Sequence, residues 1–562
     1  MMTLLFSPQG RINRRRFVLC LILLFSGLLN GYWVLSHLGS AVPILSLLFA
    51  ISWLYVFGVV CTKRMRDTRR SPWWLLLILI PLAGPVLLAL WLLLGWGGPE
   101  DRPHVENEHF RSGQGETVIN DVTQLNPVKV KDIFVPTSAV ELGEFLRRHP
   151  GPFCIGGGRF SMGGQTSSPD ATLLDMRKMN AIVEVNPQEK TVTVQPGARW
   201  CDIQRAIDGH DLSIQVMQTY ANFTVGGSLS VNCHGRYIGL GPLILSVKSL
   251  KLMLADGSEH EASPEQNPHF FYGVVGCYGA LGVVTEVTLK LADNVPMVRS
   301  AVKMERTEYL TFFREQVRNN SEAVFHNADL YPPHYGRCLA VTWSRTDLPH
   351  RRSERLQNAK TTYPIHRYFY WAVTETPLGK WRREHLFDPA FYRKALIYWR
   401  NFEAGYCVGE LEPDSRKSKT YVLQEYFVPL ERFDEFAVKM RDILARHRAN
   451  VVNVSIRHAF ADSGSLLAWA PEEVFAFVLY YKQGTSPAAR AKVGEWTVEL
   501  IEASLECGGR YYLPYQPWAS HQQFHRAYPR AEELFALKRQ YDPEYRFRNS
   551  LWDKYYPRSQ NV

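Results

Sequence analysis

The sequence predicts an α+β protein of several domains behind an all-α transmembrane segment. Three observations carry that prediction. Apolar, charge-free stretches crowd the first hundred residues; glycine-rich loops then alternate with short strands and helices up to about residue 293; strand–helix units rich in aromatic side chains fill most of the remainder. At 562 residues the chain exceeds one folding unit, for which roughly 100–200 residues is usual. We divide it into a membrane segment (1–97), a linker (98–125), a glycine-loop domain (126–293), a second α+β domain (294–530) and a carboxy-terminal segment (531–562) that returns to the glycine-loop domain.

Residues 17–35, "FVLCLILLFSGLLNGYWVL", carry no charge and are long enough to cross a hydrocarbon core of ~30 Å. The stretches at 42–61 and 72–96 read the same way; Pro81, Gly84 and Pro85 interrupt the last, which is either one kinked span or a re-entrant hairpin. Two further spans and the lack of a small-residue cleavage site argue against a signal peptide. The net charge of +10 is explained in part by Arg11, Arg14, Arg15, Arg16, Lys63, Arg64, Arg66, Arg69 and Arg70 flanking these spans, where they meet anionic headgroups and set topology. Three full spans place the rest of the chain outside the cytoplasm and a hairpin keeps it inside, so the side of the membrane stays open. No nucleic-acid signature is present. The nine cysteines are scattered without a C-x-x-C pair, so neither a zinc site nor a disulfide framework is indicated. "GRINRRRF" followed by "KRMRDTRRSPWWLLLILIPLAG" resembles a family of small bacterial inner-membrane proteins of unknown function, which implies an anchor in a bacterial inner membrane.

Residues 98–125 are polar and aperiodic and read as a linker. A strand, a capped helix with Val140, Leu142 and Phe145, and a second short strand then lead into "CIGGGRFSMGG" (154–164), five glycines in eleven positions. A Rossmann reading fails here, because that glycine loop must open a helix and "QTSSPDATLLDM" follows instead. Consecutive glycines can still converge several backbone N–H groups on one anion with no Cβ in the way, so the loop is able to hold a pyrophosphate by itself. A hairpin and helix at 181–207, a second glycine pair in "TVGGSLSVNCHGR" (224–236) and "GCYGALGVVTEVTLKL" (276–291) follow.

In that order and spacing these stretches resemble the FAD-binding domain of the vanillyl-alcohol oxidase and p-cresol methylhydroxylase superfamily (PCMH type), which includes aldonolactone oxidases, alditol oxidase and decaprenylphosphoryl-ribose oxidase. The resemblance implies a two-subdomain FAD-binding domain and an α+β substrate, or cap, domain. It assigns Gly156, Gly157, Gly158, Arg159, Phe160 and Ser161 to the pyrophosphate loop, and Gly226, Gly227, Ser228, His234, Gly279, Gly282 and Val284 to the flavin and adenosine ends. Aldonolactone oxidases carry a histidine, the covalent attachment point of the flavin, where this chain has Arg159, which implies a noncovalent FAD. A metal site at Cys233 and His234 is not expected, since adjacent strand residues face opposite sides.

"LQEYFVP" and "SIRH" resemble the cap domain of the lactone and alditol oxidases, and "DPEYRFRN" resembles their common ending; 300–415 resembles nothing we can place. Oxidation of an alcohol at a flavin needs a hydride path, a group that takes the hydroxyl proton, and positive charge near the reduced ring. The resemblance puts Arg457 where that charge is needed and Glu425 on the neighbouring strand as base or orienting group; an Arg457–Glu425 cross-strand ion pair with no catalytic part is the competing reading. Tyr515 stands near the place of a family lysine, and with a phenol pKa of about 10 it is better suited to donating a hydrogen bond than to acting as a base. His234 completes the candidate catalytic set. The expected activity is a membrane-anchored, FAD-dependent oxidation of a CH–OH group of a small-molecule or lipid-linked sugar, aldonolactone or polyol, with oxygen, a quinone or a carrier protein as acceptor and membrane lipids as further partners. A non-catalytic flavin-binding sensor or assembly partner is the alternative.

Overall fold

The computed structural model describes Val59 and residues 110–111, 117–348, 354–357, 373–376, 378–406, 416, 418–462 and 464–557. The chain divides into two units, Met1–Val105 and Glu106–Val562. The three apolar stretches expected to span a membrane lie outside the described residues apart from Val59; among the described residues no helix is long and apolar enough to cross a membrane.

The described residues of the second unit build four sheets. Strands β1 (Phe110–Arg111), β2 (Thr117–Ile119) and β3 (Val128–Val130) form an antiparallel ribbon. The linker expected at 98–125 is therefore corrected at its carboxy-terminal end. Ile119 and Leu125 are buried, Asp121 accepts hydrogen bonds from Thr123 and from the Gly164 amide, and Thr420 Oγ1 donates to the Thr123 carbonyl. Polarity misled the sequence reading because these polar groups are buried with partners.

Strands β4 (Asp132–Phe134), β5 (Phe153–Gly156) and β6 (Thr172–Asp175) form a small parallel sheet in the order β4-β6-β5. The helix Ala139–Arg148 connects β4 to β5; Ser138 caps it by accepting from the Glu141 amide, and it buries Leu142 and Leu146 while leaving Val140 exposed. No helix follows the glycine run, in keeping with the rejection of a Rossmann loop.

The larger half of this domain is an antiparallel sheet of β7 (Ile182–Asn186), β8 (Thr191–Val194), β9 (Leu212–Ile214), β10 (Val247–Met253), β11 (Glu259–Ala262) and β12 (Val283–Asp293), ordered β11-β10-β12-β8-β7 with β9 paired to the end of β12. Alternate residues of β12 (Val283, Thr285, Val287, Leu289, Leu291) are buried, the period of a strand with one face on a core. Gly226 and Gly227 open a short helix, Val225–Ser230, and do not sit in a strand.

The third part is an eight-stranded antiparallel sheet: β13 (Pro296–Glu305), β14 (Ala323–Leu330), β15 (Arg337–Arg345), β16 (Ile397–Trp399), β17 (Lys419–Pro429), β18 (Asn450–Ala459), β19 (Val474–Gly484) and β20 (Arg510–Tyr511), in the order β16-β13-β15-β14-β18-β19-β17-β20. The interval 300–415, unassigned from sequence, thus supplies half of this sheet. The helices Phe433–Arg446 and Pro487–Glu506 pack against each other, and Phe433, Phe436 and Met440 are buried. The carboxy-terminal segment returns to the glycine-loop domain: Arg548 N donates to Phe153 O, Asn549 Nδ2 to Tyr278 O and Trp552 Nε1 to Cys277 O.

Lys538 pins this return. Its fully buried ammonium donates to Ala280 O, Asp542 Oδ2 and Phe547 O at 2.7, 2.8 and 2.8 Å. All three of its protons are used. Replacing Lys538 by Met strands a buried carboxylate, so unfolding stability should fall by about 3–5 kcal/mol; a denaturant midpoint equal to that of the parent would show the pin to be dispensable.

Candidate functional site

A cavity of about 1980 Å³ lies between the glycine loops and one face of the eight-stranded sheet. Small-ligand pockets usually measure roughly 300–1,000 Å³, so this one has room for a dinucleotide and a second molecule. Its floor comes from Gly157, Gly158, Arg159, Phe160 and Ser161, from Gly226, Gly227 and Ser228, and from Gly279, Gly282 and Val284. Gly156 is the exception among the loop residues expected here. It ends β5 in a buried position and does not line the cavity, because the strand ladder still holds it against Asp175 of β6.

The glycines are required by close approach. A Cβ on Gly157 would collide with Thr224 Oγ1, one on Gly226 would lie 2.7 Å from Pro196 Cβ, and one on Gly282 would strike the Met253 carbonyl. Gly279 has φ +72°, a left-handed conformation open to glycine at little cost. Arg159 holds φ +56° with its side chain buried; desolvation lowers its pKa to about 10, and Arg177 adds to that shift. The amides of Phe160 and Ser161 make no hydrogen bond among the described residues. Backbone donors left open beside a glycine cradle are what a pyrophosphate requires. The residues present therefore fit an FAD. Thr224 was not singled out from sequence, although its place two residues before the second glycine pair was the available signal; its hydroxyl accepts from Gly158 N at 3.4 Å and joins the two loops. Phe160 and Phe223, with ring centroids 4.3 Å apart, add an aromatic wall.

The roof is the cap sheet, whose side chains alternate between the cavity and the opposite face. Tyr421, Leu423 and Glu425 of β17 face the cavity, as do Val478 and Tyr480 of β19 and Asn453, Ser455 and Arg457 of β18. Register aligns one row across four strands: Glu425 pairs with Val478, Val478 with Ser455, and Ser455 with Asp329 of β14. Glu425 and Arg457 are thus not on neighbouring strands as expected from sequence. β19 separates them, and Arg457 pairs with Ala476. No ion pair joins them among the described residues, and Arg457 Nε is buried without a hydrogen-bond partner. The geometry leaves no direct cross-strand ion pair between them, although the Arg457 charge still acts on the Glu425 carboxyl.

Glu425 is held from two other parts of the chain. His234 Nε2 lies 2.6 Å from Oε2, and Tyr515 donates its hydroxyl to Oε1 in a very short contact. The backbone of Glu425 is fixed as well, its carbonyl accepting from Tyr512 N at 3.0 Å. Burial pushes the Glu425 carboxyl up, but the His234 imidazole, its hydrogen bond, the Arg457 charge and the Tyr515 hydroxyl together bring it below the usual range. Desolvation and the Glu425 charge push Tyr515 well above an ordinary phenol. Desolvation lowers Arg457, with Glu425 opposing, yet an arginine so placed keeps its proton at neutral pH. Phe427, Trp469 and Tyr512 enclose the His234 ring at 5.1–6.0 Å. Glu425, His234 and Tyr515 therefore form a hydrogen-bonded acid–base cluster at the cavity wall, and Arg457 lines the same cavity.

Comparison with known proteins is consistent with this geometry. Residues 133–263 match the FAD binding domain family, and residues 5–104 match a family of proteins of unknown function (DUF805). L-gulonolactone oxidase of Mus musculus is 22% identical over 436 residues, covering 75% of this chain and 94% of its own length. Alditol oxidase of Streptomyces sp. is 32% identical over 162 residues, 29% of this chain and 39% of that protein. The chain is an FAD-dependent oxidoreductase. A solved structure of cholesterol oxidase from Brevibacterium sterolicum, a histidine-to-alanine mutant, superposes with a TM-score of 0.59 at 15% identity, covering 79% of this chain and 97% of the other, which shows a shared fold.

Because a Cβ on Gly157 meets Thr224 Oγ1 at the junction of the two loops, Gly157→Ala is expected to purify with much less flavin than the parent while keeping its circular dichroism. A visible flavin spectrum of parental intensity would show that this cradle does not hold the cofactor.

Proposed function

We propose that this oxidoreductase oxidises a CH–OH group of a sugar, aldonolactone, polyol or lipid-linked sugar, with the FAD held noncovalently and the chain anchored in a bacterial inner membrane. The observation that carries the chemistry is the Glu425 cluster with the buried, unpartnered Arg457 Nε beside it. When bound, FAD supplies the acceptor for the two electrons and the hydrogen lost from carbon. Gly157, Gly158, Phe160, Ser161, Gly226, Gly227 and Ser228 would hold it, with Gly279, Gly282 and Val284 at the cavity wall.

The residues of the chain handle the hydroxyl. A free alcohol is far too weak an acid to lose its proton first to a carboxylate held below its usual pKa. Its oxygen becomes strongly acidic only as the carbon gives up electrons, so a base is needed at that moment and no stronger than Glu425. Tyr515 accepts the substrate O–H at its oxygen and hands its own proton to Glu425 Oε1. His234 holds Oε2 and keeps the carboxylate aligned. Arg457, which lines the same cavity, supplies positive charge beside the negative charge that develops. Burying a carboxylate, an imidazole and a guanidinium together costs stability. A flavin sensor would have no use for that expense. The names of the gulonolactone and alditol oxidases support a polyhydroxylated substrate, and Arg159 in place of an attachment histidine supports the noncovalent flavin. The charge-free stretches before residue 97 support the anchor, and a lipid-borne acceptor or substrate follows from it.

Under anaerobic conditions, aldonolactones and polyols should be screened for bleaching of the bound flavin. Arg457→Met should keep its flavin but lose about 10²–10³ in the rate of reduction, and Tyr515→Phe about 10²–10⁴; unchanged rates in both would remove the cluster from the reaction. Acid precipitation should leave the yellow flavin in the supernatant, and flavin that stays in the pellet would mean a covalent bond.

A further inference from the structure

One helix of the cap is built inside out. It runs continuously from Gly379 to Tyr392 through a π-helical stretch, Arg383–Phe387. Its buried face is charged: Arg383 donates to Asp329 Oδ2 and to Asn453 Oδ1, both at 2.9 Å, and Asp388 accepts from Tyr331. Glu384 is turned inward between Lys303 and Arg337. Large apolar side chains are instead exposed on the helix and at its N-cap, Leu378, Trp381, Leu386 and Phe391 by 71, 50, 52 and 63%. A soluble helix shows the reverse arrangement. The π stretch shifts the helical phase, and that shift lets Arg383 and Asp388 both reach the sheet.

The charges left on the outer side are basic. Arg393 and Lys394 are exposed, and Lys380 and Arg382 are half-buried, whereas both acidic residues of the helix point inward. Large apolar side chains with a tryptophan, accompanied by lysine and arginine and with no outward acid on the helix itself, suit the boundary between acyl chains and anionic headgroups. Phe387, Ala390 and Phe391 also line the cavity, so the patch forms part of its rim.

We propose that the outer face of Gly379–Tyr392 docks on an anionic phospholipid surface and turns this rim of the cavity toward the membrane. The proposal stands on the patch alone and not on the amino-terminal spans. The test uses the full-length, FAD-loaded protein in nanodiscs of phosphatidylcholine and phosphatidylglycerol at one chain per disc. Spin labels go on single cysteines at Leu386, Phe391 and, as a control, Val183, which is exposed on β7. Cys154, Cys233, Cys277, Cys338 and Cys507 are buried and do not compete for label; Cys20, Cys61, Cys201 and Cys407 are replaced. The flavin spectrum confirms that each labelled protein is folded.

Labels at Leu386 and Phe391 are expected to be relaxed several-fold more by oxygen than by an aqueous nickel complex, with the opposite ratio at Val183. Three results would overturn the proposal: aqueous exposure at Leu386 and Phe391 equal to that at Val183, shielding that develops only when two chains share a disc, or equal insertion into discs of phosphatidylcholine alone. A label at Leu24 reports separately on the amino-terminal anchor, so failure of that reading and failure of this one are distinguishable.

Discussion

A carboxylate cannot be buried without company, and Glu425 obtains its company from two distant stretches of the chain. It sits on β17 of the cap; His234 reaches it from the glycine-loop domain across 191 residues of sequence, and Tyr515 reaches it from the segment after the last cap strand. Each contact satisfies a group that would otherwise be stranded in a low-dielectric interior, where an unpaired charge costs several kcal/mol. The same bonds fix the distance between cap sheet and cofactor loops. Assembly of the domains and assembly of the reactive cluster are one event.

Two kinds of regularity bring the rest of the site to that point. Strand alternation sends Tyr421, Leu423 and Glu425 of β17, Ser455 and Arg457 of β18, and Val478 and Tyr480 of β19 into the cavity, so a polar residue at such a position becomes a site residue without any local signal. The glycine loops work differently. Their conformations and close approaches are dictated residue by residue, and Thr224 ties the first loop to the second. The carboxy-terminal segment closes the arrangement by hydrogen-bonding to β5 and to the loop around Tyr278. Packing of Lys538 beneath it leaves no donor unused.

The sequence made the floor of the site legible and left the roof obscure. Glycine runs, the capped helix at Ser138 and the alternation of β12 are local, so they can be read from a dozen residues. Gly156 was misassigned because a run of three glycines does not show where the strand ladder stops. Glu425 and Arg457 were given to adjacent strands because the position of β19 between them is a matter of pairing order, which no local pattern encodes. β14 was missed since Ala323, Val324, Phe325 and His326 are all buried, erasing the period of two. Asp121 and Thr123 read as linker because each is polar, and only the fold reveals that their partners are inside. His234 was identified through the family resemblance, but its bond to Glu425 follows only from tertiary structure.

The central claim is that the buried Glu425–Tyr515–His234 cluster and Arg457 face the reactive part of the flavin. A crystal structure of the FAD-loaded protein with a bound polyol or aldonolactone tests it most directly. The expected result is the pyrophosphate against Gly157–Ser161, the isoalloxazine beneath the cap sheet, and the oxidisable hydroxyl within hydrogen-bond distance of Tyr515 or Arg457. An isoalloxazine seated away from this cluster, or a substrate hydroxyl bound to other side chains with Glu425 still closed in its pair, would contradict the account.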